Sequence, residues 1–163
     1  MASCTAVEIT GKTAVGMGQI ALARKPACLT AVLGSCVGVA LYHKRLEIGA
    51  LAHVVLPQSN GASAKPGKFA DTAIPYMLQL LAAEGASSAG LIAKITGGSQ
   101  MFGAGGPLQI GEDNRVAVTQ YLARAGVRID DSDLGGSKGR RITLDCGTGL
   151  LTIEVVGQPP RIL

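Results

Sequence analysis

The sequence predicts a mixed α/β fold of the α+β type, a layered α/β sandwich in which helices cover a mixed sheet. Predicted strands outnumber predicted helices, and short hairpin turns join several of them, which argues against a doubly wound parallel sheet. Apolar residues make up 47% of the 163 positions, but aromatic residues only 3%, so the core is expected to be aliphatic. The length fits one domain. We expect a single domain over residues 15–163, preceded by an N-terminal extension over residues 1–14.

The first half of the chain is predicted to form strands. Predicted strands cover residues 15–23, 37–42 and 48–56. The first contains Gly16 and Gly18, which allow a bulge or a close approach of backbone. A turn at Gly34-Ser35 precedes the second, and the charged residues 43–45 form a hairpin loop before the third. Runs as apolar as these are typical of strands that are covered on both faces.

The second half is predicted to contain two helices among further strands. The helices are expected over about residues 72–84 and 112–125, each followed by a glycine that favours termination. Because proline is tolerated only in the first turn, Pro75 places the first helix start near Asp71 or Thr72. Residues 58–68, 99–107 and 131–140 read as loops. The remaining strands are expected at residues 90–96, 127–130, 142–146 and 150–156.

Composition and charge exclude several classes of protein. The net charge of +4 is scattered along the chain and does not require a nucleic-acid partner, and the few aromatic residues argue against single-strand binding. No run approaches the ~20 apolar residues of a membrane span. Glu8 and Lys12 interrupt any secretion signal, so we expect a cytoplasmic protein with reduced thiols. The four cysteines contain no C-x-x-C pair, and we expect no metal and no cofactor.

Cys36 and His53 are the candidate reactive pair. Gly34 and Gly38 leave room beside the Cys36 sulfur, and a nearby imidazole can lower the pKa of a thiol and stabilise the thiolate. The two residues fall on strands joined by a short turn, so their side chains could meet if they share a face. The residues alone leave two other interpretations open. Cys36 could be a small buried hydrophobe, and His53 a core histidine bonded to a backbone carbonyl, whereas His43 is expected at the surface.

At these residues the sequence resembles the bacterial chemoreceptor glutamine deamidases of the CheD family. The order and spacing of five motifs match across almost the whole chain after about Val15. The matching motifs are LGSCVGVALY at 33–42, GALAHVVLP at 49–57, AKITGGSQMF at 93–102, IGEDN at 110–114 and DLGGSKGRRITLDCGTG at 133–149. The resemblance implies a layered α/β sandwich similar to the deamidase domain of the cytotoxic necrotizing factor toxins.

The resemblance also implies an activity and a site. It implies a cysteine hydrolase that converts selected glutamines of methyl-accepting chemotaxis receptors to glutamates, and in some members also hydrolyses receptor methyl esters. The family's nucleophile falls on Cys36, its histidine on His53 and its third member on Thr30, which would orient the imidazole. In the implied mechanism, a Cys36 thiolate paired with a His53 imidazolium attacks the glutamine, and backbone N–H groups around Ser35-Cys36 stabilise the oxyanion.

Substrate contacts and partners are expected from the same resemblance. Ser35, Ser99 and Gln100 are the expected substrate-binding residues. Receptor cytoplasmic helices are the expected partners, with the CheC phosphatase as a second one. Two positions depart from the family pattern, Thr96, where an aromatic residue is common, and Asp113, where arginine is common. A non-catalytic adaptor for receptors or CheC, and a thiol redox or metal protein, are the alternatives.

Overall fold

The fold contains ten strands and two α-helices in the described part of the chain. The computed structural model describes residues 11–61, 65–100 and 109–163. The strands are β1 (Lys12–Ala14), β2 (Ile20–Arg24), β3 (Cys28–Leu33), β4 (Val37–His43), β5 (Ile48–Val54), β6 (Leu91–Gly97), β7 (Arg128–Leu134), β8 (Arg140–Asp145), β9 (Leu151–Glu154) and β10 (Arg161–Ile162). The helices are α1 (Ala70–Ala83) and α2 (Ile110–Arg124). Residues 1–10 of the expected extension, and Met101 and Phe102 of the matching motif, lie outside the described residues.

The strands form two five-stranded sheets. One sheet has the order β2-β5-β4-β6-β7 and is called the helix-side sheet here, and the other has the order β1-β3-β8-β9-β10 and is called the outer sheet. Both sheets are mixed, because β6 and β7 pair in parallel in the first, and β1 and β3 pair in parallel in the second. The sequence predicted one mixed sheet; the structure divides the strands between two.

The two sheets and the helices stack as three layers with two cores. One core lies between the helices and the helix-side sheet and includes Ile74 and Met77 of α1 and Val118 and Leu122 of α2. The second core lies between the two sheets and includes Cys36 and residues of β3 and β8. The predicted layered α/β sandwich is therefore confirmed.

The burial of each strand follows from its layer. Every residue of β4 and β5 is buried, because the helix-side sheet is covered on both faces. The outer sheet has one face open to solvent, so its strands alternate: in β3, Leu29, Ala31 and Leu33 are buried, whereas Val32 between them is 65% exposed. The sequence therefore predicted the central hairpin correctly from its continuous apolar runs.

Several elements differ from the prediction. The strand expected over 15–23 begins only at Ile20, because residues 16–19 form a turn in which Gln19 N–H donates to the Gly16 carbonyl at 3.0 Å. Two strands were missed, β3 before the Gly34-Ser35 turn and the short β10. Residues 12–14, expected in the extension, form β1. His43, expected at the surface, is only 6% exposed, because its ring packs against Gly90.

Both helices begin two residues earlier than predicted. In α1 the start at Ala70 places Pro75 in the second turn, and the Asp71 carboxylate of the first turn accepts hydrogen bonds from the Ser59 N–H and hydroxyl at 3.0 and 2.9 Å. In the described part of the chain, no helix has both the length and the apolar character that crossing a membrane requires.

Candidate active site

The β4–β5 hairpin places Cys36 and His53 on one face of the helix-side sheet. Val37 pairs with Val54 and Gly38 pairs with His53, and Cys36 immediately precedes β4. Because side chains alternate along a strand, residues 36 and 38 share a face, and His53 opposite Gly38 shares it with them. Diagonal neighbours of this kind lie about 7–8 Å apart, within reach of long side chains. The structure therefore places the predicted nucleophile and the predicted base on the same face of the hairpin.

That face points into the space between the two sheets. A Cβ on Gly38 would lie 2.6 Å from Cδ1 of Ile142 and 3.0 Å from Cδ1 of Leu33, both residues of the outer sheet. Glycine at this position thus lets the outer sheet pack directly on the β4 backbone beside Cys36 and His53. Cys36 is 7% exposed and His53 is 4% exposed, so both reactive groups are largely removed from water.

His53 is held by the segment that precedes β2. Its ring Nδ1 donates to the Val15 carbonyl at 3.0 Å. The His53 carbonyl accepts the Gly18 N–H at 2.9 Å, and the His53 N–H donates to the Gln19 carbonyl at 3.0 Å. Because a carbonyl only accepts, Nδ1 carries the proton, which leaves Nε2 as the basic nitrogen. The turn therefore fixes both the orientation and the tautomer of the imidazole.

Thr30 supports this arrangement through its main chain. Its carbonyl accepts the Val15 N–H at 2.7 Å, so it holds the residue whose own carbonyl holds His53. Its hydroxyl donates to the Ile142 carbonyl at 2.7 Å. Because Leu29 and Ala31 point into the core, the alternation of β3 turns the Thr30 side chain to the opposite face of the outer sheet. The structure does not bring the Thr30 hydroxyl to the imidazole.

Burial sets the protonation states of the pair. Burial raises the pKa of the Cys36 thiol, and a backbone hydrogen bond at Cys36 lowers it by less. Burial lowers the pKa of His53, and the hydrogen bond to the Val15 carbonyl opposes this only in part. These directions favour a neutral thiol and a neutral imidazole at pH 7, in place of the expected thiolate–imidazolium pair.

The residues expected to contact substrate lie around the Cys36 loop. Ser99 is fully buried, and both its N–H and its hydroxyl donate to the Gly34 carbonyl, at 3.1 and 2.8 Å. Ser35 is half-buried in the same loop, and the Gln100 N–H donates to the Gly136 carbonyl at 2.8 Å. These contacts make Ser99 a support of the loop, and substrate binding by Ser35, Ser99 and Gln100 stays a prediction.

Two residues of the site were missed by sequence reasoning. Val15 acts through its carbonyl, a group that every residue carries, so no sequence signal marks it. Asn114 is fully buried in α2, and its side-chain amide donates to the carbonyls of Ser35 and Val55. A signal for Asn114 did exist, because it stands three and four positions before the buried Ala117 and Val118 and so falls on the apolar stripe of the helix.

The two departures from the family pattern lie in different environments. Thr96 is fully buried and pairs with Gly38 on the β6 side of β4. Asp113 is exposed in the first turn of α2, where a carboxylate interacts favourably with the helix dipole. Within residues 11–61, 65–100 and 109–163, no group of three or more histidine, cysteine, aspartate or glutamate side chains is placed to hold a metal ion.

Comparisons with known proteins agree with the motif resemblance. The family model described as "CheD chemotactic sensory transduction" matches residues 55–155. A probable chemoreceptor glutamine deamidase CheD of Syntrophomonas wolfei is 39% identical over 155 residues, covering 91% of this chain and 96% of that protein. The chemoreceptor glutamine deamidase CheD of Thermotoga maritima is 38% identical over 147 residues, covering 90% of this chain and 93% of that protein. Because such matches leave out only the ends of the chain, they include the Cys36–His53 hairpin.

Among solved structures, the Bacillus licheniformis hypothetical protein YfiH aligns with a TM-score of 0.48 and 16% sequence identity. The alignment covers 72% of this chain and 50% of that one.

Proposed function

This chain belongs to the CheD family, and we propose that it deamidates glutamine side chains of chemoreceptors through a thioester on Cys36. The relatives that match over nine-tenths of the chain are named as chemoreceptor glutamine deamidases, which supports the substrate and the reaction. The observation that supports the mechanism is the β4–β5 register, which puts Cys36 and His53 on one buried face. The hydrogen bond of His53 Nδ1 to the Val15 carbonyl also supports the mechanism, because it leaves Nε2 as the nitrogen that can act as a base.

In the first half of the reaction, Nε2 of His53 takes the proton of the Cys36 thiol as the sulfur attacks the side-chain carbonyl carbon of glutamine. A tetrahedral oxyanion forms, and the backbone N–H groups of Ser35 and Cys36 are the proposed donors to it. When the intermediate collapses, the C–N bond breaks and His53 returns its proton to the leaving nitrogen. Ammonia departs and a thioester remains on Cys36.

In the second half, His53 takes a proton from water, and the resulting hydroxide attacks the thioester carbonyl. The C–S bond breaks, the proton returns to the sulfur, and glutamate is released. A glutamyl methyl ester would follow the same path with methanol as the leaving group, so methylesterase activity requires no additional residue. Since a neutral Cys36 thiol gives up its proton only during attack, His53 is a general base in this proposal.

Thr30 enters the proposal as a positioning residue. The contacts that support this role are the hydrogen bond from Val15 N–H to the Thr30 carbonyl and the one from His53 Nδ1 to the Val15 carbonyl. Both run through main-chain atoms, so the hydroxyl of Thr30 is dispensable for orienting the imidazole.

The proposed substrate is the helical cytoplasmic part of a receptor, and we place the reaction in the cytoplasm. Two cations border the turn that holds His53: a Cβ on Gly18 would lie 3.4 Å from Cβ of Lys68 and 3.6 Å from Cδ of Lys65. This position supports a role of Lys65 and Lys68 in guiding an acidic receptor helix to the site. Association with a CheC phosphatase stays a prediction.

The test is mass spectrometry of receptor cytoplasmic fragments after incubation with the protein, combined with an assay for released ammonia. The wild type should add about one dalton at specific glutamines. Cys36→Ala and His53→Gln should each lower the rate at least ~10³-fold, because each removes a group that makes or breaks covalent bonds. Thr30→Val, which removes only the hydroxyl, should lower kcat less than ~10-fold. The matched control is Cys28→Ala, which removes a thiol of β3 outside the site and should keep full activity.

Three outcomes would contradict the proposal. Full activity of Cys36→Ala would exclude the thioester mechanism. A loss of ~10- to 100-fold in Thr30→Val would show that the hydroxyl itself assists His53. A wild-type protein that binds receptor fragments without changing their mass would be the non-catalytic adaptor.

A further inference from the structure

All three carbonyls of the loop that carries the nucleophile are held by donors from other elements. The Gly34 carbonyl accepts the Ser99 N–H and hydroxyl, at 3.1 and 2.8 Å. The Ser35 carbonyl accepts Nδ2 of Asn114 at 3.1 Å. The Cys36 carbonyl accepts the Gly98 N–H at 2.8 Å. The loop has no regular secondary structure of its own, so these contacts determine its conformation.

Each of these contacts also fixes the direction of an N–H group. A peptide unit is planar, and in its trans form the C=O and the N–H point in opposite directions. In the described chain only the Lys25-Pro26 bond is cis, so both peptide units of the loop are trans. Holding the Ser35 carbonyl therefore directs the Cys36 N–H, and holding the Gly34 carbonyl directs the Ser35 N–H. The Cys36 N–H belongs to the same residue as the sulfur, the atom to which the substrate carbon bonds.

Asn114 also ties this loop to the strand that carries His53. The second N–H of its amide donates to the Val55 carbonyl at 2.8 Å. Val55 follows Val54, the partner of Val37, so it lies across from Cys36 at the end of the hairpin. One side-chain amide thus bridges the ends of β4 and β5 where the two reactive residues meet.

The remaining atom of the Asn114 amide argues against a role in stability alone. Its Oδ1 is buried and has no hydrogen-bond partner in the described part of the chain. A buried acceptor without a partner costs about 1–3 kcal/mol, and asparagine is a poor residue for a helix interior. If only stability mattered at this position, an apolar residue would serve better than asparagine. The two costs are explained if the side chain is needed to hold two carbonyls.

We propose that Asn114, together with Ser99, is a positioning residue that directs the Ser35 and Cys36 N–H groups at the oxyanion of the tetrahedral intermediate. This inference rests on the proposed deamidase function and extends it. Neither side chain touches the substrate in this role. Each acts through the peptide unit whose carbonyl it holds.

The test compares two rates of the same thiol in Asn114→Ala, Asn114→Asp and Ser99→Ala. Deamidation passes through an oxyanion, whereas alkylation of Cys36 by iodoacetamide is a direct displacement and forms none. Removing one oxyanion donor typically costs about 10²–10³ in kcat, and misdirecting it should cost about 10- to 100-fold. We expect kcat to fall by that amount, with KM and the alkylation rate of the Cys36 peptide within about 3-fold of wild type.

Two comparisons separate this role from a loss of fold. Val118→Ala shortens another fully buried side chain of α2 and should lower the denaturation midpoint while leaving kcat unchanged. Asn114→Asp keeps the shape of the side chain but loses donors as its carboxyl ionises, so its kcat should fall further as the pH rises. If Asn114→Ala does not fold, Ser99→Ala, which loses one of two bonds to the Gly34 carbonyl, carries the test.

The inference is overturned if the folded variants keep wild-type kcat, or if kcat and the alkylation rate fall together, since the latter would show that the sulfur itself had moved. A wild type that releases no ammonia from any receptor fragment would instead overturn the proposed function, and this inference with it.

Discussion

At the scale of single residues, the site combines two side chains with several main-chain atoms. In the proposed mechanism Cys36 and His53 supply the sulfur and the base, while the carbonyl of Val15 sets the tautomer of the imidazole. Burial raises the pKa of the thiol and lowers that of the imidazole, so it favours the neutral form of each group. A neutral pair in a dry site requires proton transfer to accompany attack, as in serine hydrolases.

This protonation state predicts the pH profile. Only a neutral imidazole can accept a proton, and the pKa of His53 lies below its ordinary 6.5. We expect kcat/KM to rise with pH to a midpoint below 6.5 and then to stay level until the Cys36 thiol ionises above 9. A preformed thiolate–imidazolium pair would instead lose activity as the imidazolium deprotonates, so a decline between pH 7 and 8.5 would contradict the prediction.

The control for this pH profile is a measurement of protein stability at each pH. A histidine with a pKa lowered by folding is protonated more readily in the unfolded chain, so stability falls as the pH drops below 6.5. Circular dichroism at each pH separates this loss from the loss of the base. His53→Gln should remove the low-pH dependence of stability that His53 contributes.

At the scale of elements, the turn after β6 is the part that carries the Cys36 loop. Gly97 has φ +109°, and a Cβ there would collide with the Cys36 carbonyl and lie 3.2 Å from Cδ1 of Leu33. Two properties of glycine are therefore needed at once, the positive φ and the absent side chain. The Gly97-Gly98 pair, which the sequence marks only as the end of a strand, is thus a support of the Cys36 loop.

Gly97→Ala is expected to lower both stability and activity. The strained φ and the collision together should reduce the free energy of unfolding by about 2–4 kcal/mol, and displacement of the Cys36 carbonyl should lower kcat. Urea denaturation measures the first and ammonia release the second. Gly126→Ala is the matched control, because Gly126 has φ +73° but no atom within 4 Å of a Cβ. Equal losses of stability and of kcat in the two variants would show that the contact between residue 97 and the Cys36 carbonyl contributes to neither.

At the scale of the whole molecule, the two sheets are tied together by a buried lysine. Lys94 lies on β6 of the helix-side sheet and is 7% exposed. Its Nζ donates to main-chain oxygens of Gly149 and Leu163, both at 2.8 Å, next to β9 of the outer sheet. Apolar contacts between the sheets do not by themselves determine the relative orientation of the two sheets. These charged hydrogen bonds are directional and therefore fix that orientation.

Lys94→Met should therefore destabilise the protein although it keeps the length and apolar stem of the side chain. Two main-chain oxygens of buried residues lose a charged donor, and we expect a loss of about 2–4 kcal/mol in the free energy of unfolding. Urea denaturation measures this, with the exposed Lys44→Met as the control that should change stability by less than about 0.5 kcal/mol. A loss no larger than that of the control would mean that the ammonium is not needed between the sheets.

The sequence by itself determined the features that are local. Continuous apolar runs predicted β4 and β5 as strands covered on both faces, and the charged turn between them predicted a hairpin. The motifs around Cys36 and His53 identified the candidate site. Antiparallel pairing then follows from the hairpin, so the shared face of the two residues was predictable from their separation along the chain.

The tertiary structure decided what depends on partners distant in sequence. A strand pattern indicates that a face is buried but not what covers it. The sequence therefore could not predict the division into two sheets, the burial of His43 or the outward side chain of Thr30. The carbonyls of Val15 and Ser35 are chemically the same as every other carbonyl, and only the assembled fold brings an imidazole to one and the Asn114 amide to the other. The pKa shifts also depend on the tertiary structure, because the desolvation that favours a neutral thiol and a neutral imidazole arises only when the two sheets pack together.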